Sequence, residues 1–217
     1  MLIKNKIILT VIFGLLTSLI GCSQNNNIEL VLTEENHNPY YLKGTKLIEP
    51  FMDLEGKSLK IDSKAKDSIM EGIRYLDAVT KINPNNFAAY WIKGKGYQSL
   101  NQHDSAYFQF DKSFELNKEN TDVARELMIE CLFLGKGEKA VYLSLHALSL
   151  DTLNTGLIGN LALAYLINGD TDLASQTIKK AMQLDPIDKI NLNISQIIND
   201  VIIGKRKRPT KYDEIQQ

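Results

Sequence analysis

From residue 63 onward, apolar side chains recur at three- and four-residue spacing, in helix-length blocks separated by short polar breaks. This is the period of a helix that buries one stripe. It predicts helices over Ser63 to Ile82, Ala88 to Leu100, Asp104 to Leu116, Asp122 to Leu134, Glu138 to Leu150, Gly156 to Asn168, Asp172 to Leu184 and Lys189 to about Ile203. The breaks carry their own chemistry. Asn101, Gly135 and Gly169 stand where a first helix must stop, and Gly204 where the last one does; Gly, and less easily Asn, takes the left-handed conformation that ends a helix. Asn120, Asn154, Asp170 and Asp188 stand where a side-chain oxygen can cap the next helix. Upstream the pattern weakens. The helix at Ser63 to Ile82 needs a partner, which the order of the blocks places near residues 53 to 65, yet Gly56 and a polar run interrupt it there. Residues 28–62 therefore read as a divergent, partly irregular cap, with Pro39 to Leu42 and Leu47 to Met52 as the apolar material it can lay over the first repeat.

The blocks repeat. Ile82-Asn83-Pro84, Leu116-Asn117-Lys118, Leu150-Asp151-Thr152 and Leu184-Asp185-Pro186 follow one another at intervals of 34 residues. Ala106, Ala140 and Ala174 share a column of that period, as do Tyr97, Cys131 and Tyr165, and Ser113, Ala147 and Ala181. Gly94, Met128 and Ala162 fill a column that mostly holds a small side chain. In period and in these positions the chain resembles the tetratricopeptide repeat family. Tyr90, Gly94, Tyr97, Ala106 and Phe110 fit the pattern in one copy, and Leu161, Ala162, Tyr165, Gly169, Ala174, Ala181 and Pro186 in another. The middle copy departs at Met128, Cys131 and Ser144. The resemblance implies an all-α fold: a right-handed superhelical solenoid of antiparallel helix pairs closed by a C-terminal capping helix. The array would span 63–203, with a half unit at 63–86, repeats at 87–120, 121–154 and 155–188, and a capping helix at 189–203. Residues 204–217 would follow as a basic and polar tail with a solvated end.

The first residues belong to none of this. Lys4 and Lys6 precede an uncharged run from Ile7 to Ile20, too short to span a membrane, where about 20 apolar residues are needed. A basic start, a short apolar stretch and small residues after it read as a secretory signal. The run ends Leu19-Ile20-Gly21-Cys22. This resembles the lipobox of bacterial lipoproteins, in which the cysteine is acylated and becomes the mature first residue. Residues 1–21 would then be a discarded leader, Cys22 a lipidated anchor, and 22–27 a polar tether. The resemblance further implies a place in the bacterial cell envelope, in the outer membrane and facing the periplasm.

Composition narrows what remains. With 25 basic and 26 acidic side chains the formal charge is −1, so no excess of positive charge recommends nucleic acid as a partner. Losing 1–21 removes Lys4 and Lys6 and no acid, which leaves 23 against 26. Two cysteines build no disulfide framework, and Cys131 sits in a core column. The sequence contains no glycine-rich phosphate loop, no Gly-x-Ser-x-Gly and no His-Glu-x-x-His, and His37, His103 and His146 are far apart. Neither enzyme activity nor a cofactor nor a metal is expected.

What is left is a surface. In the tetratricopeptide repeat family the first helix of each unit lines a concave groove. Residue by residue, that assigns Trp91, Lys95 and Gln98 in the first repeat, Arg125, Ile129 and Phe133 in the second, and Asn160, Leu163 and Ile167 in the third. Lys95 and Asn160 suit the clamp by which some members hold chaperone tails, but Asp122 and Glu126 do not. The function implied is a non-enzymatic scaffold or adaptor that docks an envelope protein or peptide segment in this groove. Alternatives are a lipoprotein that binds a small ligand or glycan, or an assembly factor for outer-membrane or pilus components.

Overall fold

The computed structural model describes residues 37–52 and 60–215. The leader 1–21, Cys22, the tether 22–27 and the first part of the cap, 28–36, lie outside the described residues. Among the described residues there is no strand. The helices are α1 (His37–Ile48), α2 (Ser63–Ile82), α3 (Phe87–Ser99), α4 (His103–Leu116), α5 (Thr121–Phe133), α6 (Gly137–Leu150), α7 (Thr155–Asn168), α8 (Thr171–Leu184) and α9 (Lys189–Ile202), with single 3-10 turns at Glu49–Phe51 and Tyr212–Ile215. From α2 to α9 the predicted ends agree to within one residue. Each helix packs on the next, and α9 lies against both α8 and α7.

The stops act as their residue types require. Asn101, Gly135, Gly169 and Gly204 have φ of 54°, 67°, 104° and 71°. At the first three, the following N–H folds back onto the last turn: Gln102 to Tyr97 O at 2.9 Å, Lys136 to Cys131 O at 2.8 Å and Asp170 to Tyr165 O at 2.9 Å. That is the Schellman closure, which satisfies carbonyls a helix end leaves open. Asn86, Asn120, Asn154 and Asp188 accept from backbone N–H groups in the first turns of α3, α5, α7 and α9. Asp170, expected to cap α8, makes no such bond. Its backbone is held by the Schellman closure before it, and its carboxylate takes the Asn168 amide at 2.6 Å instead.

The partner of α2 is α1, at 37–48, not a helix near 53–65. Residues 53–59 are outside the described set. Pro39 and Gly44 hide α1 from a pattern search, and Gly44 is what lets it dock. A Cβ there would lie 3.0 Å from Gly72 O, and one on Gly72 would lie 2.8 Å from Gly44 O. The turn after α1 sits on the end of α3, where Ser99 Oγ donates to Phe51 O at 2.7 Å.

Inside the pairs Ala106, Ala140 and Ala174 are fully buried, and in the aromatic column Cys131 is buried while Tyr97 and Tyr165 are half-buried. The departures of the middle repeat compensate one another. A Cβ on Gly94 would fall 2.5 Å from the Phe110 ring, so a large residue on α4 requires none on α3. One period on, the same two positions hold Met128 and Ser144, and one further Ala162 and Ile178, all buried. The bulk has crossed from the second helix to the first and back. Side chains from α4 to α9 form one core cluster and those from 48 to 92 another; Trp91 and Tyr97 pack against both.

Part of the tail is held against the fold, where the sequence reading expected a solvated end. After Gly204 the chain reverses, and Arg206 N donates to Asp200 O at 2.9 Å. Pro209 is buried, and Tyr212 and Ile215 pack against the main core cluster. A run of like charges predicts solvation only while its cations lack fixed acceptors, and Arg208 finds them in the last carbonyls of α7.

Candidate interaction groove

Helices α3, α5 and α7 are the first members of their pairs, and the residues assigned to the groove fall on them in three groups. The first is polar. Lys95, 1% exposed, lies with Nζ 3.2 Å from Glu126 Oε2 and donates to Gln98 Oε1 at 2.5 Å. Gln98 Nε2 donates to Glu126 Oε2 at 3.0 Å and to Glu130 Oε1 at 2.8 Å. Arg125 reaches the other Glu126 oxygen at 3.3 Å and Asp122 at 3.4 Å, with its side chain 40% exposed. Three assigned residues from two helices thus converge on one carboxylate.

Glu130 completes the network. It is fully buried, and its second oxygen lies 2.8 Å from His103 Nδ1. Burial pushes its carboxyl above the usual range, against the hydrogen bonds from His103 and Gln98, and the Glu126 charge adds to the rise. Removing one member of such a buried set costs about 3–5 kcal/mol because the others are left uncompensated.

The second group is aromatic. His103 stacks on Phe133 with ring centroids 4.0 Å apart and planes at 13°. The other neighbour of Phe133 is Tyr212 from the tail, at 4.7 Å and 49°. The third group is packing. Leu163 and Ile167 are 5% and 4% exposed and belong to the core cluster, so they are not open lining. Trp91 is half-buried between the two clusters, and its indole Nε1 is buried with no acceptor among the described residues. Ile129 and Asn160 are half-buried.

Sequence reasoning did not find Glu130, His103, Arg208 or Tyr212. Glu126 and Glu130, one turn apart on α5, were the available signal for the first; nothing periodic marks the tail residues. Cys131 is buried, and burial pushes its thiol up to about 12, so it holds its proton at neutral pH and is no nucleophile. Among the described residues there is no cluster of His, Cys, Asp and Glu able to hold a metal, and no helix long and apolar enough to cross a membrane. A cavity of about 270 Å³ between Asp62, Lys66, Ser99 and Asn101 lies at the α2–α3 edge, and none of the Glu126 network side chains lines it.

The family model of the tetratricopeptide repeat matches residues 156–188, the α7–α8 pair. In sequence the chain is similar to the UDP-N-acetylglucosamine--peptide N-acetylglucosaminyltransferase of Giardia intestinalis (strain ATCC 50803 / WB clone C6), 29% identical over 103 residues. That stretch is 44% of this chain and only 7% of the transferase. Among solved structures, the crystal structure of MamA protein is similar with a TM-score of 0.63 at 20% identity, over 85% of this chain and 88% of that one. MamA 41-end from Desulfovibrio magneticus RS-1 gives 0.64 at 16% identity, over 81% and 90%. At such identities the likeness is one of fold. Residues 156–188 are a tetratricopeptide repeat, and the chain folds as a solenoid of such helix pairs.

Proposed function

We infer that the protein is a non-enzymatic scaffold of the bacterial cell envelope, held on the outer membrane by acyl chains on Cys22, that docks a segment of another envelope protein on the face formed by α3, α5 and α7. The observation that carries this reading is the ion-paired floor of that face. Buried ion pairs contribute little net stability, so the convergence of Lys95, Gln98 and Arg125 on Glu126 is poorly explained by folding alone. Its effect is to fix a half-exposed guanidinium at Arg125, one turn of α5 before the half-buried, apolar Ile129. A mixed charged and apolar surface of this kind suits an extended or helical polypeptide segment. The leader and lipobox-like residues supply the anchor: each buried methylene of an acyl chain contributes about 0.8 kcal/mol, and stable attachment takes more than one chain.

Crosslinking in membranes followed by capture of the protein tests the docking face. Wild type is compared with the full chain carrying Arg125→Ala and Ile129→Asp, both at half-exposed positions, with helix content checked by circular dichroism. Loss of the crosslinked partner from the folded variant is expected; an unchanged set of partners would refute the docking face. Cys22→Ser tests the anchor separately. It should move the protein to the soluble fraction, and persistent membrane association would rule out attachment by acylation.

A further inference from the structure

Residues 205–215 do not wander from the end of α9 but cross the ends of two first helices. Arg208 Nη1 donates to Ile167 O at 2.8 Å and to Leu166 O at 3.3 Å. These are late carbonyls of α7, at the negative end of its dipole, where a cation is favoured. Four residues on, Tyr212 lays its ring against Phe133 of α5, which is also stacked on His103. Between them the chain is shaped by its own side chains. Thr210 N donates to Glu214 Oε2 at 2.7 Å, and this bond holds the Glu214 carboxyl below its ordinary range. Arg206 Nη1 donates to Ile215 O at 2.7 Å.

The helix ends are shaped to receive it. Gly135 and Gly169, the left-handed stops of α5 and α7, lie directly beneath the strap. A Cβ on Gly135 would come 3.1 Å from Thr210 O, and one on Gly169 would touch the Arg208 guanidinium at 3.7 Å. The rim therefore offers two subsites at a fixed interval, a carbonyl pair for a guanidinium and an aromatic pad for a ring. Of residues 205–215 only Pro209 is fully buried; Lys205, Lys207, Thr210, Lys211 and Asp213 are exposed and the rest are half-buried. Segments held by few buried contacts open without unfolding the rest.

We propose that the rim formed by the C-terminal ends of α5 and α7 is a docking site for an extended protein segment carrying an arginine and, four residues later, an aromatic side chain, and that residues 205–215 occupy this site in cis until such a segment displaces them. The proposal rests on the docking face described above and adds what the partner must present there. A tethered occupant acts at an effective concentration in the millimolar range for a short linker, so it masks the site strongly while each of its contacts stays weak.

The test uses a labelled synthetic peptide of residues 204–217 as the probe, with fluorescence anisotropy as the readout. It is titrated against the full wild-type chain, the full chain with Arg208→Ala and Tyr212→Ala, and that open chain with Phe133→Ala added. The open chain should bind the peptide at least tenfold more tightly than wild type, and Phe133→Ala should remove that gain. Equal binding to wild type and open chain would overturn the proposal, as would no binding to an open chain whose circular dichroism matches wild type. If the open chain does not fold, hydrogen exchange on the wild type decides. The amides of Arg206 and Thr210 should then exchange at least 100-fold faster than those of α7; exchange only together with α7 would make the strap a permanent part of the fold and refute displacement. Peptide binding without envelope capture would leave this site standing and refute the broader docking role; capture without peptide binding would do the reverse.

Discussion

At the scale of single residues, the repeat tolerates change only in matched pairs. Met128 and Ser144 each depart from the family pattern, and each is explained by the other. A bulky residue on the first helix is accommodated by a small one on the second, the reverse of Gly94 and Phe110. The Ser144 hydroxyl is the residue of that exchange, buried with no hydrogen-bond partner among the described residues. Met128→Ala alone should therefore cost about 2–4 kcal/mol by leaving a cavity. Ser144→Ile alone should cost about 1–3 kcal/mol by overpacking. Together they recreate the Ala162 and Ile178 combination of the next repeat, and the double variant should recover most of both losses. Urea unfolding of the three variants checks this; additive losses in the double variant would mean that the two positions do not share space.

At the scale of elements, the polar network joins α3, α5 and the start of α4 through Glu130. Its carboxyl is raised by burial, so the folded state binds that proton more readily than the unfolded one. Stability from this group is then present below the ordinary value of 4.5 and declines as pH rises through the raised value. Glu130→Gln keeps an acceptor for Gln98 and removes the titration. Melting temperatures measured from pH 4.5 to 7.5 should show the variant gaining on wild type as pH increases, by about 2–4 °C for each kcal/mol of burial cost removed. A variant that instead loses ground to wild type as pH rises would refute the assignment. The same scale shows why sequence reading succeeded for most helices and failed for one. A fixed period places α2 to α9 because every helix carries the apolar stripe, and left-handed stops after α3, α5, α7 and α9 and side-chain caps before α2, α3, α5, α7 and α9 fix the register again and again. Only one helix of its pair, α2, carries that stripe; the fit of α1 depends on the Gly44–Gly72 crossing, which periodicity cannot express. The rim escaped for a related reason. Arg208 and Tyr212 act on residues 41 and 79 positions earlier, Ile167 and Phe133, and no repeat column links them.

For the whole molecule, two core clusters share one seam. Trp91 and Tyr97 pack against both, so they couple the N-terminal pair to the rest of the solenoid. Solenoids approximate a sum of unit stabilities and neighbour terms, and weakening one interface uncouples what lies on either side. Trp91→Ala should cost about 3 kcal/mol and separate the transitions, with α1 and α2 losing exchange protection at lower urea than α5 to α8. Hydrogen exchange across a urea series measures this; simultaneous loss in all helices would show that the seam does not depend on the indole. Burial of Cys131 has a use of a different kind. Its thiol is enclosed and its pKa is pushed up to about 12, and the sequence holds only one other cysteine, Cys22. In a Cys22→Ser chain, any cysteine placed on the exposed side of residues 205–215 becomes the single site that maleimide reagents modify at neutral pH. A spin label or fluorophore there would report the mobility of the strap in the intact protein, with the native core left unaltered.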